Sequence, residues 1–571
     1  MHLGEQLVDR LIAYGVRHVF GCPGGQTLPL YNGIAKRPGR IDHVLMRDER
    51  SAAYAADAYA RATGTLGVCD ATVGPGASNL VSGLVEAYAS SVPVLAIVSD
   101  IPRRWEHRRH LGSASQGFEQ RRFLEPCVRW YGRVETSDNL PDILHAAVRI
   151  ATSGRPGPVV LEIPADVFYG PAGAEEFPAA PQWAAFPRLG PAPDPAAVEQ
   201  ATARLRASTT PIIVAGGGAL RAGAGPDLQA LAETLRCPIA TTVTGKGVIP
   251  ETHPLSVGVT GSFGIPMANA LLAESDCVVF VGTKVGQSAT LSWTLPAPGT
   301  PVIHLDIDPE EIGRNYRDSI GIVADARLGA RGLVDALRHA QVNSAWDRER
   351  IGAMRREWWE GPIVYKEAPK PGILKPQDVV RVVGALMSDR DVLVTDASLA
   401  SGWGASRWQA KTSGRRFFAP RGLAGLGWGL PAAIGVAAAM RDLETHGRVV
   451  CLAGDGGWAY SMAEVEPAAR MGLPIVSVVL NNSSLGWIKH VAASRFAQEM
   501  VSEGFLDVKF ADAAGALGAT AERVDALDRF EAAFRAAVRD ETSRPWVIEA
   551  RSCDVETPVL QPPAGTARGG Y

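Results

Sequence analysis

Short apolar runs, each bounded by glycine or proline and followed by an amphipathic stretch, recur along the whole chain. HVFG from His18, LGVCDATV from Leu66, VPVLAIVS from Val92 and GPVVLEIP from Gly157 are too short for helices. They are apolar on both faces, which is the pattern of strands buried in parallel sheets. The segment before the first of them, MHLGEQLVDRLIAYGV, repeats instead at helical spacing, with Leu7, Val8, Leu11 and Ile12 on one face. A second set of strands follows in TPIIVAGGGA from Thr210, DCVVFVGTKVG from Asp276 and PVIHLDIDPEEIG from Pro301. The third set is DVLVTDAS from Asp391, RVVCLAGDGG from Arg448, LPIVSVVLNN from Leu473 and RPWVIEARS from Arg544. Strands alternating with helices predict an α/β fold of three doubly wound parallel-sheet domains, over 1–170, 190–345 and 370–556. The first and third read as similarly built halves. Between the first two lies a proline- and alanine-rich stretch, Tyr169 to Asp194, that reads as extended linker; a second irregular stretch starts at Trp358.

Composition narrows the function. With 46% hydrophobic and 20% charged residues and a net charge of −3 over 571 residues, the chain has the balance of a soluble enzyme. That charge favours neither nucleic acid nor an anionic membrane as partner. No run is long and apolar enough to span a bilayer, and the N-terminus lacks the basic and apolar regions of a signal peptide. Seven scattered cysteines with no CxxC or Cys/His pattern point to a reducing, cytoplasmic setting without a zinc site.

The richest chemistry lies in GDGGWAYSMAEVEPAARMGLPIVSVVLNN, Gly454 to Asn482. A buried strand ending in glycines puts Asp455 at the carboxyl end of a sheet, where open α/β sheets bind ligands. Met462 to Met471 reads as helix, and the neighbouring parallel strand ends at Asn481 and Asn482. A carboxylate, an amide oxygen and a backbone carbonyl just beyond form a hard oxygen set suited to Mg²⁺ or Ca²⁺, and magnesium completes its shell with phosphate oxygens. Gly454, Gly456 and Gly457 let a diphosphate approach the backbone. GDG alone is as well explained by a glycine turn; its combination with the helix, the strand and the Asn pair selects a ligand site.

This segment resembles the diphosphate and magnesium motif of thiamine diphosphate enzymes, which implies Asp455, Asn482 and the Ser484 backbone carbonyl as metal ligands. Its partners occur in order. In LMRDERSAAYAADAYARATG, Glu49 follows a strand and heads an alanine-rich helix, matching the family glutamate that binds N1′ of the aminopyrimidine. Out of context, Glu49 is a helix N-terminal acid favoured by the dipole. RGLAGLGWGLPAAIG places Leu426 where the family has the bulky apolar residue that holds the two cofactor rings bent together; alone, it would read as a glycine-rich helix start. VFGCPGGQTLPLY, with Gly24 and Gly25 as cofactor-binding residues, together with ARATGTLGVCDATVGPGASN and GRPGPVVLEIPADV, is most similar to the large catalytic subunit of acetolactate synthases, and the similarity in domain order spans nearly the whole chain.

The chain departs from that pattern in several places. VGTKVGQSATLSW stands where the synthases have an arginine-rich flavin-binding stretch, so FAD is in doubt. Trp487 and Val491 occupy the acceptor-pocket positions, which implies a different acceptor. Ser398 and Ser401 replace a Gln-His pair near the diphosphate, and Gln116 aligns with the glutamine beside the substrate. Gly25 and Thr72 stand where simple decarboxylases carry Ser and His, which favours ligation over protonation of the enamine. The basic run Arg103 to His110 reads first as solvated surface or a subunit contact and second as an anion site; Gly216 to Gly218 could cradle a nucleotide. The resemblance implies thiamine diphosphate and Mg²⁺, decarboxylation of a pyruvate-like 2-oxo acid with carboligation to a second carbonyl, and a homodimer or homotetramer with active sites at the subunit interface. The alternatives are a non-ligating decarboxylase, a C–C lyase or hydrolase of a hydroxy ketone or diketone, and a cofactor-binding scaffold without turnover.

Overall fold

The computed structural model describes residues 1–110, 112–173, 178–496 and 504–558. Three six-stranded sheets succeed one another along the chain, every pairing within them parallel. The first comprises β1 (His18–Gly21), β2 (Asp42–Leu45), β3 (Gly67–Ala71), β4 (Val94–Asp100), β5 (Trp130–Arg133) and β6 (Val159–Pro164), in the order β2-β1-β3-β4-β6-β5. The second comprises β7 (Pro211–Ala215), β8 (Ile239–Thr241), β9 (Ser256–Val259), β10 (Cys277–Val281), β11 (Val302–Asp306) and β12 (Ile320–Val323), in the order β12-β11-β10-β7-β8-β9. The third holds β13 (Val392–Thr395), β14 (Phe417–Phe418), β15 (Val449–Gly454), β16 (Ile475–Asn481), β17 (Thr520–Val524) and β18 (Trp546–Arg551), in the order β14-β13-β15-β16-β18-β17. Counted within each sheet, the first and third orders are identical. The middle one is the doubly wound dinucleotide-fold order, 3-2-1-4-5-6 read from the other edge. The inner strands β3, β4, β6 and β16 are buried along their whole length, as their apolar runs predict.

The outer domains are joined by two alanine-rich helices, Glu49–Thr63 and Gly429–Asp442. Small residues let the backbones almost touch: a Cβ on Gly435 would lie 2.1 Å from the Ala55 carbonyl oxygen. Trp428, fully buried, donates its indole N–H to Asp57 across this contact, and Arg61 sits over its ring.

Two boundaries differ from the sequence reading. Among its described residues the expected linker is irregular except for a short 3₁₀ turn, Pro181–Trp183. It is nevertheless fastened to the first domain, with Leu66 donating to the Ala184 carbonyl and Ala184 and Phe186 buried. The stretch expected to be irregular from Trp358 begins inside a helix, Arg348–Glu360, whose Ile351, Met354 and Trp358 pack on the central core. The central unit therefore extends past 345. This helix has one fully buried residue, too weak an apolar stripe to stand out in sequence. All seven cysteines are free. Among the described residues no helix is long and apolar enough to cross a membrane.

Candidate active site

In the first sheet the topological switch point lies between β1 and β3. Their carboxyl ends feed two glycine-rich loops that touch: a Cβ on Gly24 would fall 2.3 Å from that of Thr72, so only glycine fits. Thr72 donates to Gln26 at 3.0 Å. Glu49 opens its helix just after β2, where Asp48 caps the helix by accepting from Arg50 N at 2.7 Å and Ser51 N at 3.4 Å. The half-buried Glu49 carboxylate accepts from Asn79 at 3.0 Å, and its other oxygen lies 3.1 Å from where a Cβ on Gly76 would be. Gln116 packs on the same loop, its carbonyl against Gly74, with φ of +62°. A non-glycine residue held in that region stores strain, which is found most often at functional sites. Glu49, Gly24 and Gln116, far apart in sequence, thus surround one loop, Thr72–Gly76. Gly25 is exposed with nothing near its missing Cβ.

The third sheet repeats the arrangement. β13 and β15 flank its switch point, and β15 pairs with β16 so that Gly454 lies opposite Leu480. The helix expected from Met462 starts earlier, at Asp455 itself, and runs to Ser461 before a 3₁₀ turn and a second helix, Val465–Arg470. Asp455 is buried, and burial raises its pKa against the backbone N–H groups that stabilise the anion. It accepts from its own neighbour Gly456 at 2.7 Å and from Asn482 N across the strands at 3.2 Å. Among the described residues its partners are backbone N–H groups, with no cationic side chain beside it. Asn482 Oδ1 accepts from Ser484 N at 3.1 Å, Ser483 reverses the chain at φ +53°, and the Ser484 hydroxyl is buried without a partner. Gly457 is required by packing, since a Cβ there would lie 3.0 Å from the Asp396 carboxyl carbon. Gly454 is not: its missing Cβ faces open space.

These residues fit a metal diphosphate. A buried carboxylate without a cationic partner is stabilised by a cation, and the open space beside Gly454 at the strand end leaves room for phosphate oxygens. Among the described residues no cluster of three His, Cys, Asp or Glu side chains could hold a metal by itself. The edge offers one carboxylate and neutral oxygens instead, a set that leaves magnesium to complete its shell with phosphate. Asn481 has a structural role, donating to Glu549 at 2.7 Å and to the Val508 carbonyl at 3.0 Å.

Comparison with known proteins agrees with this geometry domain by domain. Residues 1–121 match the N-terminal TPP binding domain of thiamine pyrophosphate enzymes, 198–333 the central domain and 396–550 the C-terminal TPP binding domain. The chain belongs to the thiamine pyrophosphate enzymes. It is 32% identical to a probable acetolactate synthase large subunit of Methanocaldococcus jannaschii, over 98% of this chain and 93% of the relative. It is 36% identical to an acetolactate synthase of Arthrospira platensis, over 85% and 82% of the two chains, and 31% identical to the isozyme 3 large subunit of Escherichia coli, over 90% and 88%.

Against that family background, several side chains stand differently from their sequence reading. Ser401 is fully buried, and its hydroxyl donates to the Asp396 carbonyl at 2.6 Å, so it fastens the turn after β13 instead of facing the open edge. Ser398, half-buried at φ +66°, starts the helix Leu399–Arg407 at that edge. Within the basic run, Arg103 is paired with Asp166 and Arg109 with the buried Asp100, so two of its four arginines are taken up in ion pairs. Trp487 stacks obliquely on Phe263 of the central domain. The central sheet opens at its own switch point, β7 against β10, on a cavity of about 470 Å³ lined by Gly217, Gly218, Thr244, Thr283, Asp306 and Arg421 among others. There Lys284, from the segment that departs from the flavin pattern, donates to the Ala89 carbonyl, and burial pulls its pKa down to about 8. Sequence reading missed Asp396 and Glu86, two buried acids whose acceptor oxygens gather distant backbone N–H groups.

Proposed function

We propose that this thiamine pyrophosphate enzyme decarboxylates a pyruvate-like 2-oxo acid and ligates the remaining fragment to a second carbonyl, as its acetolactate synthase relatives are named for doing. The observation that carries the reading is the β15–β16 pairing, which sets the unpaired Asp455 carboxylate beside Asn482 at a sheet switch point. Thiamine diphosphate, when bound, would supply a nucleophilic carbon for the 2-oxo acid carbonyl and an electron sink for the pair left behind when CO₂ departs.

The chain's own residues do the rest. Asp455, Asn482 and the Ser484 carbonyl would hold Mg²⁺, and the open space at Gly454 would let the diphosphate lie against the backbone beside Gly456. Glu49 exchanges a proton with N1′ of the aminopyrimidine, and Asn79 orients the Glu49 carboxylate for that exchange. Leu426 keeps the two rings bent together, and Gln116 stands beside the substrate. Thr72 and Gly25 offer no imidazole proton donor, which favours ligation over release of an aldehyde. Neither half of the reaction changes the overall oxidation state, so the reading requires no flavin. The homo-oligomer, with sites shared between subunits, and the cytoplasmic setting belong to the same reading.

Proton NMR of the protein with thiamine diphosphate, Mg²⁺ and pyruvate tests it. Acetolactate or acetoin is the expected product. Acetaldehyde alone refutes ligation, and loss of a diketone without CO₂ would favour C–C cleavage.

A further inference from the structure

Leu426 lies in Arg421–Trp428, a segment without regular structure that passes between the outer domains. Two buried carboxylates fasten this segment, one on each side of Leu426. Upstream, Glu86 of the helix Val81–Ala89 reaches over from the first domain. One of its oxygens accepts from Gly422 N at 3.0 Å, and the other from Leu423 N and Ala424 N at 2.7 and 3.0 Å. Arg61, at 3.0 Å, and Ser90, at 2.8 Å, hold that carboxylate ionised and in place. Downstream, Asp396 at the end of β13 accepts from Gly427 N on one oxygen, at 3.1 Å, and from Gly429 N on the other, at 3.0 Å, as well as from Ala397 N at 2.6 Å.

Two left-handed residues, Ala424 at φ +60° and Gly427 at φ +84°, turn the chain on either side of Leu426. Ala424 carries the strain of a side-chain-bearing residue at positive φ, which glycine avoids at Gly427, and the N–H of each is taken up by a carboxylate. Charge-assisted hydrogen bonds of this kind are shorter and stronger than neutral ones and are directional. A third contact closes the loop, since the Tyr54 hydroxyl lies 2.5 Å from where a Cβ on Gly425 would be. The backbone on both sides of Leu426 is therefore set by acids belonging to two different domains, and the half-buried Leu426 side chain is carried between them.

We infer that Glu86 and Asp396 are positioning residues that hold Leu426 at the height and angle needed to bend the two cofactor rings together. The inference rests on the thiamine diphosphate reading of the site and names what fixes its apolar pillar. Neither acid has to touch the cofactor to act. Asp396 offers two acceptor oxygens to three N–H groups; an asparagine keeps one oxygen and turns an N–H₂ toward the other donor, releasing Gly427 or Gly429 while leaving shape and volume nearly unchanged.

The test compares Asp396→Asn, Leu426→Ala and the double variant, reading the dissociation constant of Mg-thiamine diphosphate and, separately, the rate of proton exchange at C2 of the bound cofactor by quenched-flow NMR. Because a misplacement near 1 Å costs on the order of a hundredfold, Asp396→Asn is expected to slow exchange by roughly 10- to 100-fold. Cofactor affinity should stay within about threefold. Since the acid acts through Leu426, the double variant should exchange no more slowly than Leu426→Ala alone. Should Asp396→Asn not fold, Gly429→Ala serves in its place: its Cβ would come 3.1 Å from the Asp396 carboxylate and displace it without changing charge. Exchange at the wild-type rate in Asp396→Asn, rate losses that multiply in the double variant, or loss of affinity in step with rate would each overturn the inference. A wild-type protein that fails to bind the cofactor overturns the parent reading, whereas normal exchange in wild type and Asp396→Asn alike overturns this inference alone.

Discussion

Gly435 and Gly384 both sit inside helices, yet the same substitution should move stability in opposite directions. Replacing a helix-interior glycine with alanine gains about 1 kcal/mol from backbone entropy. At Gly384, in the helix Pro376–Leu386, the new Cβ would meet only the Trp408 ring, at 3.5 Å, an ordinary contact. Gly384→Ala should therefore stabilise the protein by up to about 1 kcal/mol. At Gly435 the Cβ would lie 2.1 Å from the Ala55 carbonyl oxygen and 2.9 Å from its carbon. Reaching a normal separation requires the two helices to part by about 1.3 Å, and overpacking of that kind costs about 1–3 kcal/mol. The lost neighbours include Trp428, wedged between Asp57 and Arg61, so the upper half of that range applies. Gly435→Ala should thus be destabilising by about 1–2 kcal/mol after the helix gain is deducted. Urea unfolding followed by circular dichroism, with both variants beside wild type, provides the comparison. A Gly435→Ala protein as stable as Gly384→Ala would refute the close helix crossing that joins the outer domains.

Two further outcomes follow from the buried acids. Asp455→Asn keeps one acceptor oxygen and turns an N–H₂ toward Gly456 N or Asn482 N, and it removes the charge offered to a cation, so affinity for Mg²⁺-diphosphate should fall by at least about 100-fold, read by calorimetry; intact affinity would contradict the metal role. Glu464, bonded to Arg47 N at 3.2 Å between the outer domains, has its pKa raised to about 7, chiefly by burial. The folded protein therefore holds this proton more tightly than the unfolded chain, and stability should decline as pH rises from the ordinary carboxyl range through 7, by up to about 3 kcal/mol. Glu464→Gln should flatten that decline, and an unchanged pH profile would remove Glu464 as its source.

The three sheets could be read from sequence because their inner strands are apolar on both faces, leaving a run that no amphipathic helix imitates. The proposed metal edge draws on residues that the sequence already placed at the ends of two strands, and the pairing of β15 with β16 makes those strands neighbours, although two short helices and a 3₁₀ turn lie between them where one helix was expected. Glu86 could not be found that way. Its backbone partners lie 336 to 338 residues further along the chain, and a lone glutamate on the short helix Val81–Ala89 carries no local sign of them. Asp396 stood within a motif examined for its serines, yet the acid gathers the loop and Ser401 only secures the turn behind it. The basic run, read first as solvated surface or a subunit contact and second as an anion site, gave no sign of its partners, because Asp100 and Asp166 come from a strand and a short helix brought close only by the fold. Periodicity reports which residues face a core, whereas pairing between distant loops depends on topology.

The decisive measurement is proton exchange at C2 of thiamine diphosphate bound to Glu49→Gln, made at saturating cofactor and Mg²⁺. With glutamine in place of the acid at the head of its helix, exchange should slow by about 10²–10⁴-fold while cofactor affinity changes little. Exchange at the wild-type rate would contradict the proposed role of Glu49 at the site it forms with the Thr72–Gly76 loop.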